Sequence, residues 1–142
     1  MPKMIFVNLP VTDLAKSTAF YERVGGTRDP RFSDETAAMM TFSEAIHVML
    51  LTHGKFRQFT TKAIADSLVT SQVLLCVSAD SRQEVDEMIR TAASAGGVAD
   101  PSPKQDHGFM YGRSFEDPDG HIWEVVWMDV EAAMAGRETA TA

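Results

Sequence analysis

The residue best placed to take part in a chemical reaction is a carboxylate near the end of the chain, Glu124. It follows the turn sequence Asp117–Gly120 and stands among apolar residues such as Ile122 and Val126. Carboxylates held in apolar pockets are candidates for general acid–base work, and they are equally common as partners of a guanidinium. Glu124 is therefore the candidate catalytic residue, with a structural ion pair to Arg113 as the alternative.

The turn before Glu124 predicts how the last two strands pair. Asp117-Pro-Asp-Gly120 separates two strand-like runs, and proline followed by glycine favours a tight hairpin. If Asp117 pairs with Gly120, Arg113 lies opposite Glu124 on the same face of the sheet. That face is mostly apolar around one charged pair, as expected of a ligand cavity, and the other face packs against a helix. The predicted cavity face consists of Tyr111, Arg113, Phe115, Ile122, Glu124 and Val126, and the predicted helix face of Met110, Gly112, Ser114, Trp123, Val125 and Trp127.

Weaker signals for chemistry lie elsewhere in the chain. Cys76 shares the strand parity of Gln72, which directs it to the cavity, but no neighbour in sequence activates it as a nucleophile. His107 precedes a predicted strand near the expected mouth of the cavity, whereas His47 and His121 are expected at its rim or on the helix side. No phosphate-binding loop, nucleophile elbow or dinucleotide fingerprint is present.

These residues are positioned by a pattern that occurs twice. In each half a strand-like run precedes an apolar helical stripe, a Gly-Gly pair ends the helix, and further strand-like runs follow. The second helix begins with a capping box of Ser81 and Glu84. The sequence predicts an α+β fold of two tandem β-α-β-β-β modules in a single domain, residues 1–142. Module one covers about 4–53, a linker 54–71, module two about 72–128 and a C-terminal tail 129–142.

Composition excludes several classes of protein. The chain has 142 residues, is 44% hydrophobic, carries a net charge of −7 and contains 1 cysteine. A net-acidic chain without a basic stripe is a poor binder of nucleic acid, and no apolar run is long enough to span a membrane. One cysteine excludes an intrachain disulfide framework and, with a strand pattern that starts at the N-terminus, predicts a cytoplasmic location.

Two segments resemble the vicinal oxygen chelate superfamily, which includes glyoxalase I, extradiol dioxygenases, fosfomycin-resistance enzymes and bleomycin-binding proteins. The first is Phe6-Val-Asn-Leu-Pro-Val-Thr-Asp-Leu14, with Phe20-Tyr21 after it, and the second is Phe115-Glu-Asp-Pro-Asp-Gly-His-Ile-Trp-Glu-Val125. The likeness spans about residues 4–128. Within the superfamily, the chain most resembles a bacterial branch related to lactoylglutathione lyase. It implies that each module curls its sheet and that the two modules form a cup with helices outside.

The resemblance also implies where a divalent metal would bind. Superfamily ligands come from the first and last strands of each module, and the matching positions here are Phe6, Leu50, Gln72 and Glu124. Only Gln72 and Glu124 carry a donor atom, so the expected metal site is incomplete. Asn8, which has the parity of Phe6, and His107 are the residues that could add donors. The expected cofactor is therefore none, or a divalent metal such as Ni, Zn, Fe or Mn.

Two functions fit these observations. One is an enzyme of the lyase, isomerase or dioxygenase type that acts on a small oxygenated molecule. The other is a metal-independent binding protein or an antibiotic-sequestering resistance protein. A homodimer is expected because apolar strands at open sheet edges favour pairing. The expected substrate-binding residues are Phe6, Asn8, Leu50, Gln72, His107, Tyr111, Arg113 and Phe115.

Overall fold

The computed structural model describes the backbone of residues 2–141 and the side chains of residues 2–135. The chain divides into two compact units, Met1–Thr70 with Pro118–Gly120, and Ser71–Asp117 with His121–Ala142. Each unit contains one mixed sheet, which confirms the predicted α+β class and the repeated β-α-β-β-β order. No helix among the described residues is both long and apolar enough to cross a membrane.

The first unit is a four-stranded sheet with the spatial order β1-β4-β3-β2, in which β1 runs parallel to β4 and the other pairs are antiparallel. Helix α1 begins where the Asp13 carboxylate accepts a hydrogen bond from the Lys16 amide at 3.0 Å. The elements are β1 (Ile5–Val11), α1 (Leu14–Arg23), β2 (Thr27–Asp29), a 3-10 turn (Pro30–Phe32), β3 (Ala37–Thr41), β4 (Ile46–Thr52) and α2 (His53–Phe56).

Both faces of the first sheet are largely buried along β3 and β4. Val48 and Leu50 of β4 have no exposed surface and pack on the α1 side with Tyr21, which is also fully buried. Side chains alternate along a strand, so the neighbouring positions point to the opposite face. There Phe6 lies beside His47 in the register of β1 and β4, and Phe6 is 48% exposed. The face opposite α1 is also buried at Met39, His47 and Leu51, and its exposed part includes Phe6 and Asn8 of the edge strand β1.

The second unit repeats this arrangement with the spatial order β5-β9-β8-β6, and the short strand β7 also pairs with β8. The Ser81 hydroxyl caps α3 by accepting from the Glu84 amide at 3.0 Å, and the Glu84 carboxylate accepts from the Asp80 amide. This confirms the predicted helix start, with the reciprocal bond one residue earlier than in a standard capping box. The elements are β5 (Leu75–Ser78), α3 (Arg82–Ser94), β6 (Val98–Ala99), β7 (Gln105–Asp106), β8 (Met110–Glu116), β9 (Ile122–Met128) and α4 (Val130–Thr141).

Two local predictions for this unit differ from the structure. Strand β5 begins at Leu75, so Gln72 lies in irregular chain before the strand. Strand β7 has only two residues and was not predicted, because a segment that short carries no periodicity. It matters for the site because it places Gln105 beside Gly112 of β8.

The last hairpin is shifted by one residue from the predicted register. Asp117 pairs with His121: the Asp117 amide donates to the His121 carbonyl at 3.0 Å, and the His121 amide donates to the Asp117 carboxylate at 2.9 Å. The loop therefore has three residues, and its last one, Gly120, has a φ of +88°. Three-residue hairpin loops commonly end in a left-handed glycine. Arg113 consequently lies opposite Val125, and Glu124 lies opposite Ser114.

The loop residues group with the first unit, and their hydrogen bonds explain the loop length. The Asp119 carboxylate accepts from the Thr12 amide at 3.0 Å and from the Thr12 hydroxyl at 2.8 Å, just before α1 begins. The Ser17 hydroxyl, which is buried, donates to the same carboxylate at 3.3 Å. Placing Asp119 at the tip satisfies these polar groups, and a third loop residue is needed for that placement.

We expect Gly120→Ala to destabilise the protein. A Cβ atom at this position would lie 2.5 Å from the Ser67 carbonyl oxygen and 2.8 Å from the Leu68 Cα, at a φ that disfavours any side chain. The expected loss in the free energy of unfolding is about 1–3 kcal/mol or more, measured by urea denaturation. Gly54→Ala is the matched control, because nothing lies within 4 Å of a Cβ there. Equal stability of the two variants would contradict the described loop.

Candidate functional site

The observed register decides which side chains of the second sheet share a face. Ser114 and Glu124 are directly opposed, and Cys76 of β5 lies beside Glu124 on the other side. On the opposite face, Val125 is fully buried and Trp123 is 3% exposed, which is the side packed against α3. The face that carries Glu124 is therefore the open face of this sheet. It includes Cys76, Met110, Gly112, Ser114, Glu124 and Val126.

A pocket of about 240 Å³ lies on this open face, and we call it the Glu124 pocket. The apolar part of its wall comes from Met110 and Val126, and the polar part from Ser114, Glu124 and Gln105. Its lining consists of Ser102, Pro103, Gln105, Met110, Gly112, Arg113, Ser114, Glu124 and Val126. A small apolar hollow with a few convergent polar groups is the usual form of a ligand site.

The Glu124 carboxylate has no hydrogen bond or ion pair with any other group in the described part of the chain. Its side chain is partly exposed within the pocket. An ionised carboxylate offers two acceptor oxygens and no donor. Glu124 is therefore available to accept hydrogen bonds from a molecule in the pocket, or to accept a proton from it.

The thiol of Cys76, which lies beside Glu124, has a raised pKa. Partial burial raises the pKa of Cys76, and the negative charge of Glu124 raises it further. A thiol with a raised pKa is a weak nucleophile because little of it is ionised. Cys76 lies on the face that carries Glu124 and is exposed there, so the burial on which the expectation of an inert cysteine depended is not observed.

The loop before β7 covers one side of the pocket and is held there by Ser114. The Ser102 amide donates to the Ser114 hydroxyl oxygen at 3.1 Å, and the Asp100 amide donates to the Ser114 carbonyl at 2.8 Å. Ser114 itself is 2% exposed. Ser114 was assigned to the helix face from the sequence, so this role was missed together with the register.

A second anchor holds β7, which supplies Gln105. The Arg82 guanidinium donates to the Asp106 carboxylate at 2.8 Å and to the Gly108 carbonyl at 3.0 Å. This interaction lowers the pKa of Asp106 to about 2, so the carboxylate is ionised at neutral pH. His107 is exposed beside this strand, with its Nε2 3.3 Å from the Gln105 Oε1. His107 is therefore near a pocket-lining side chain, although it does not line the pocket itself.

The predicted pairing of Arg113 with Glu124 is wrong. The Arg113 Nε and Nη2 atoms donate to the Asp100 carboxylate, and Nη1 donates to Asp86 Oδ1 at 2.9 Å. The Tyr111 hydroxyl donates to the same Asp86 oxygen at 2.7 Å. Arg113 and Tyr111 project to the α3 side because the one-residue register shift exchanges the two faces of the hairpin.

This cluster on the α3 side shifts the ionisation of its members. Hydrogen bonds from Tyr111 and Arg113 lower the pKa of Asp86, and the Arg113 guanidinium lowers the pKa of Asp100. The same contacts raise the pKa of Tyr111, first through its bond to Asp86. The charges are thus arranged to stay ionised and paired, which is a structural role.

Two further residues predicted to line a cavity lie in packed cores instead. Phe115 is 2% exposed and stacks on Trp123 with ring centroids 6.4 Å apart. Leu50 has no exposed surface and packs on the α1 side. For Phe115 the cause is the register shift, and for Leu50 it is strand parity, since it pairs with the buried Leu9. Neither residue can contact a ligand on an open face.

The candidates in the first unit lie on the face opposite α1, on the exposed edge strand β1. Phe6 stacks on His47, with centroids 4.8 Å apart, and Asn8 is exposed with its amide donating to the Phe6 carbonyl at 3.4 Å. His47 was expected at the rim or on the helix side, but it shares the face of Phe6. Its Nε2 donates to the Glu44 carbonyl at 3.1 Å, and its Nδ1 accepts from the Thr41 hydroxyl at 3.0 Å. Both ring nitrogens are therefore engaged.

The donors present do not form a metal site within the described residues. No group of three or more His, Cys, Asp and Glu side chains there could hold a metal ion. Beside Glu124 the adjacent strands offer a thiol and a hydroxyl, and Gln72 lies outside β5. A transition-metal site needs several N, O or S donors that converge. The residues do not fit the divalent metal that the resemblance implies, so no chemical step is assigned to one.

Comparison with protein families gives a match over residues 3–125 to the Glyoxalase/Bleomycin resistance protein/Dioxygenase superfamily. No curated protein sequence matches the chain.

Several solved structures have the same fold. A hypothetical protein of S. aureus aligns with a TM-score of 0.74 and 24% identity, over 89% of this chain and 94% of that one. A glyoxalase-related enzyme of Fulvimarina pelagi aligns with a TM-score of 0.74 and 19% identity, over 89% of this chain and 88% of that one. The fosfomycin resistance protein FosX of Listeria monocytogenes aligns with a TM-score of 0.63 and 19% identity, over 89% of this chain and 91% of that one. At these identities the likeness concerns the fold alone.

We expect Arg113 to be energetically coupled to Asp100 and independent of Glu124. Arg113→Met leaves Asp86 and Asp100 without their cation and is expected to cost about 1–3 kcal/mol, less than a fully buried pair because Asp86 is 40% exposed. The double variant with Asp100→Asn should lose less than the sum of the single losses, whereas the double variant with Glu124→Gln should be additive within about 0.5 kcal/mol. Urea denaturation of wild type, the three single variants and the two double variants measures both coupling energies.

The same variant has a defined pH dependence. Because Arg113 lowers the folded-state pKa of Asp86 and Asp100, its stabilisation is present at neutral pH and disappears as pH falls below about 4. The stability difference between wild type and Arg113→Met should therefore shrink between pH 7 and pH 3. Coupling of Arg113 to Glu124 at either pH would support the other register.

We also expect Glu124→Gln to make Cys76 more reactive. Removing the negative charge lowers the pKa of Cys76, so the midpoint of its pH–rate profile with neutral iodoacetamide should move to lower pH. At pH 7.5 the rate at which iodoacetamide alkylates Cys76, measured by mass spectrometry, should rise about two- to fivefold. Glu116→Gln removes a charge from the same sheet outside the pocket and should leave the rate unchanged. Identical rates in all three proteins would show that Glu124 does not lie beside Cys76.

Proposed function

The chain belongs to the Glyoxalase/Bleomycin resistance protein/Dioxygenase superfamily, and from this premise we propose that it binds a small oxygenated molecule in the Glu124 pocket. Glu124 accepts a hydrogen bond from the molecule, and Ser114 and Gln105 contact its other polar groups. Met110 and Val126 contact its apolar part. This assignment keeps Glu124 as the central residue of the predicted site and replaces the aromatic residues that were expected around it.

One observation carries this proposal: the carboxylate of Glu124 lies in a pocket of about 240 Å³ without a partner in the described part of the chain. The oxygens of Glu124 reach solvent, since no buried side-chain oxygen of the described residues lacks a partner. Water therefore solvates the carboxylate until a ligand displaces it, and the ligand must then supply the replacing hydrogen bond. By contrast, every charged group of the Arg113 cluster has a partner. The difference between the two faces of one hairpin supports a ligand on the Glu124 side.

The proposed binding does not require a metal. The pocket volume suits a ligand of about ten non-hydrogen atoms, smaller than most drug-sized molecules. The name of FosX associates that protein with fosfomycin resistance. For this chain, a binding pocket is compatible with sequestration of an antibiotic. We propose that the primary function of this chain is to bind a small molecule. We further propose that residues 1–142 form one glyoxalase-like domain and that the protein is a homodimer in the cytoplasm.

A second candidate function follows from the same carboxylate. A partner-free carboxylate within a pocket is a candidate general base. With a hydroxyketone in the pocket, the C–H bond next to the carbonyl would break, its proton would move to Glu124, and the electron pair would form an enolate. The proton on Glu124 exchanges with solvent, and a proton then returns to the same carbon, which restores both the ligand and the carboxylate. The net reaction is hydrogen exchange without any oxidant or reductant.

A neutral hydroxyketone tests both functions. We expect 2-hydroxy-1-phenylethanone to bind wild type with amide shift changes at Gly112, Ser114 and Val126 in an NMR titration. Glu124→Gln should weaken this binding by about tenfold or more, since a charge-assisted hydrogen bond becomes a neutral one. Glu116→Gln, which alters the same sheet outside the pocket, should bind as wild type does. Unaltered affinity in Glu124→Gln would remove Glu124 from the site.

The same samples in D₂O separate binding from catalysis. If Glu124 acts as a base, deuterium enters the CH₂ group of the ligand faster with wild type than with Glu124→Gln. If the protein only binds, the exchange rate equals that of buffer while the titration still shows binding.

A further inference from the structure

The Glu124 pocket contains a negative charge that no cation of its lining neutralises. Arg113 is the one cation among the described residues that line it, and its side chain is only 15% exposed. The Nε, Nη1 and Nη2 atoms of Arg113 all donate to carboxylates on the α3 side of the sheet. Its charge is therefore committed to Asp86 and Asp100 and is not available to Glu124.

The charges behind the sheet leave this imbalance in place. Arg113 faces two carboxylates, so the cluster has no spare positive charge. Lys104, in the covering loop, acts on the same two carboxylates and lowers the pKa of both. Because Arg113 is paired with Asp86 and Asp100 and is the one cation among the described lining residues, Glu124 is the uncompensated charge of the pocket lining.

A ligand that enters the pocket must displace water from Glu124. Desolvating an ionised carboxylate without a partner is costly, and a neutral donor offsets only part of the cost. A cation offsets more, because charge-assisted hydrogen bonds are about twice as strong as neutral ones. An anion adds repulsion to the desolvation cost. The pocket is therefore expected to rank its ligands by charge.

We propose that the ligand of the Glu124 pocket carries a protonated amine next to a hydroxyl group, so that the pocket selects small amino alcohols. The ammonium group pairs with Glu124, the hydroxyl group contacts Ser114 or Gln105, and an apolar group packs on Met110 and Val126. This inference rests on the proposed function and adds the chemical class of the ligand.

Three molecules with one skeleton and different charge test the proposal on the wild-type protein at pH 7. The cation is 2-amino-1-phenylethanol, the neutral analogue is 1-phenylethane-1,2-diol, and the anion is mandelate. We expect the amine to bind at least about tenfold more tightly than the diol, and mandelate more weakly than either, in NMR titrations that follow Gly112, Ser114 and Val126. Raising the salt concentration should weaken the binding of the amine and leave the affinity for the diol unchanged.

Variants assign the preference to Glu124. In Glu124→Gln the amine should lose its advantage over the diol, while the diol still binds; in Glu116→Gln the advantage should persist. Each other outcome has a distinct meaning. Equal affinity of amine and diol, or tighter binding of mandelate, overturns the charge preference and leaves the proposed function intact. Shifts outside the pocket, or no binding by any of the three, overturn both.

Discussion

The pairing of Asp117 with His121 across a three-residue loop is the constraint on which the candidate site depends. Because side chains alternate along a strand, this pairing determines which residues of β8 and β9 meet α3 and which remain on the open face. It places Glu124 between Ser114 and Cys76, and it sends Arg113 to the opposite side. The loop length is in turn tied to Asp119, whose carboxylate serves Thr12 and Ser17.

The two faces of the last hairpin thus have different electrostatic roles. On the α3 side, Asp86, Asp100 and Arg113 form a connected set of hydrogen bonds in which each charge has a partner. Such sets stabilise one arrangement of strand and helix, since removing one member leaves another unpaired. On the open side, Glu124 has no such partner among the described residues. The paired charges and the carboxylate of the proposed ligand site therefore lie on opposite faces of the same two strands.

Membership of the superfamily is shown by the family match, and it defines the fold more firmly than the chemistry. Superfamily members commonly use divalent metals, but here Phe6 and Leu50 occupy two of the positions that the resemblance assigns to ligands. Leu50 is moreover buried on the α1 side, where no ligand could reach it. The carboxylate that matches the superfamily pattern, Glu124, is retained in a pocket whose other groups suit hydrogen bonding to an organic molecule.

The sequence by itself determined the repeated strand and helix order and the start of α3 after Ser81, because periodicity, caps and glycines are local signals. It also identified Glu124 as the candidate carboxylate. It could not determine the partners of Arg113 or the orientation of Phe115. Those depend on a one-residue difference in loop length, and the turn sequence Asp-Pro-Asp-Gly is compatible with loops of two or three residues. Only the tertiary structure decided between them, because the hydrogen bonds that favour the longer loop come from Thr12 and Ser17, more than a hundred residues earlier in the chain.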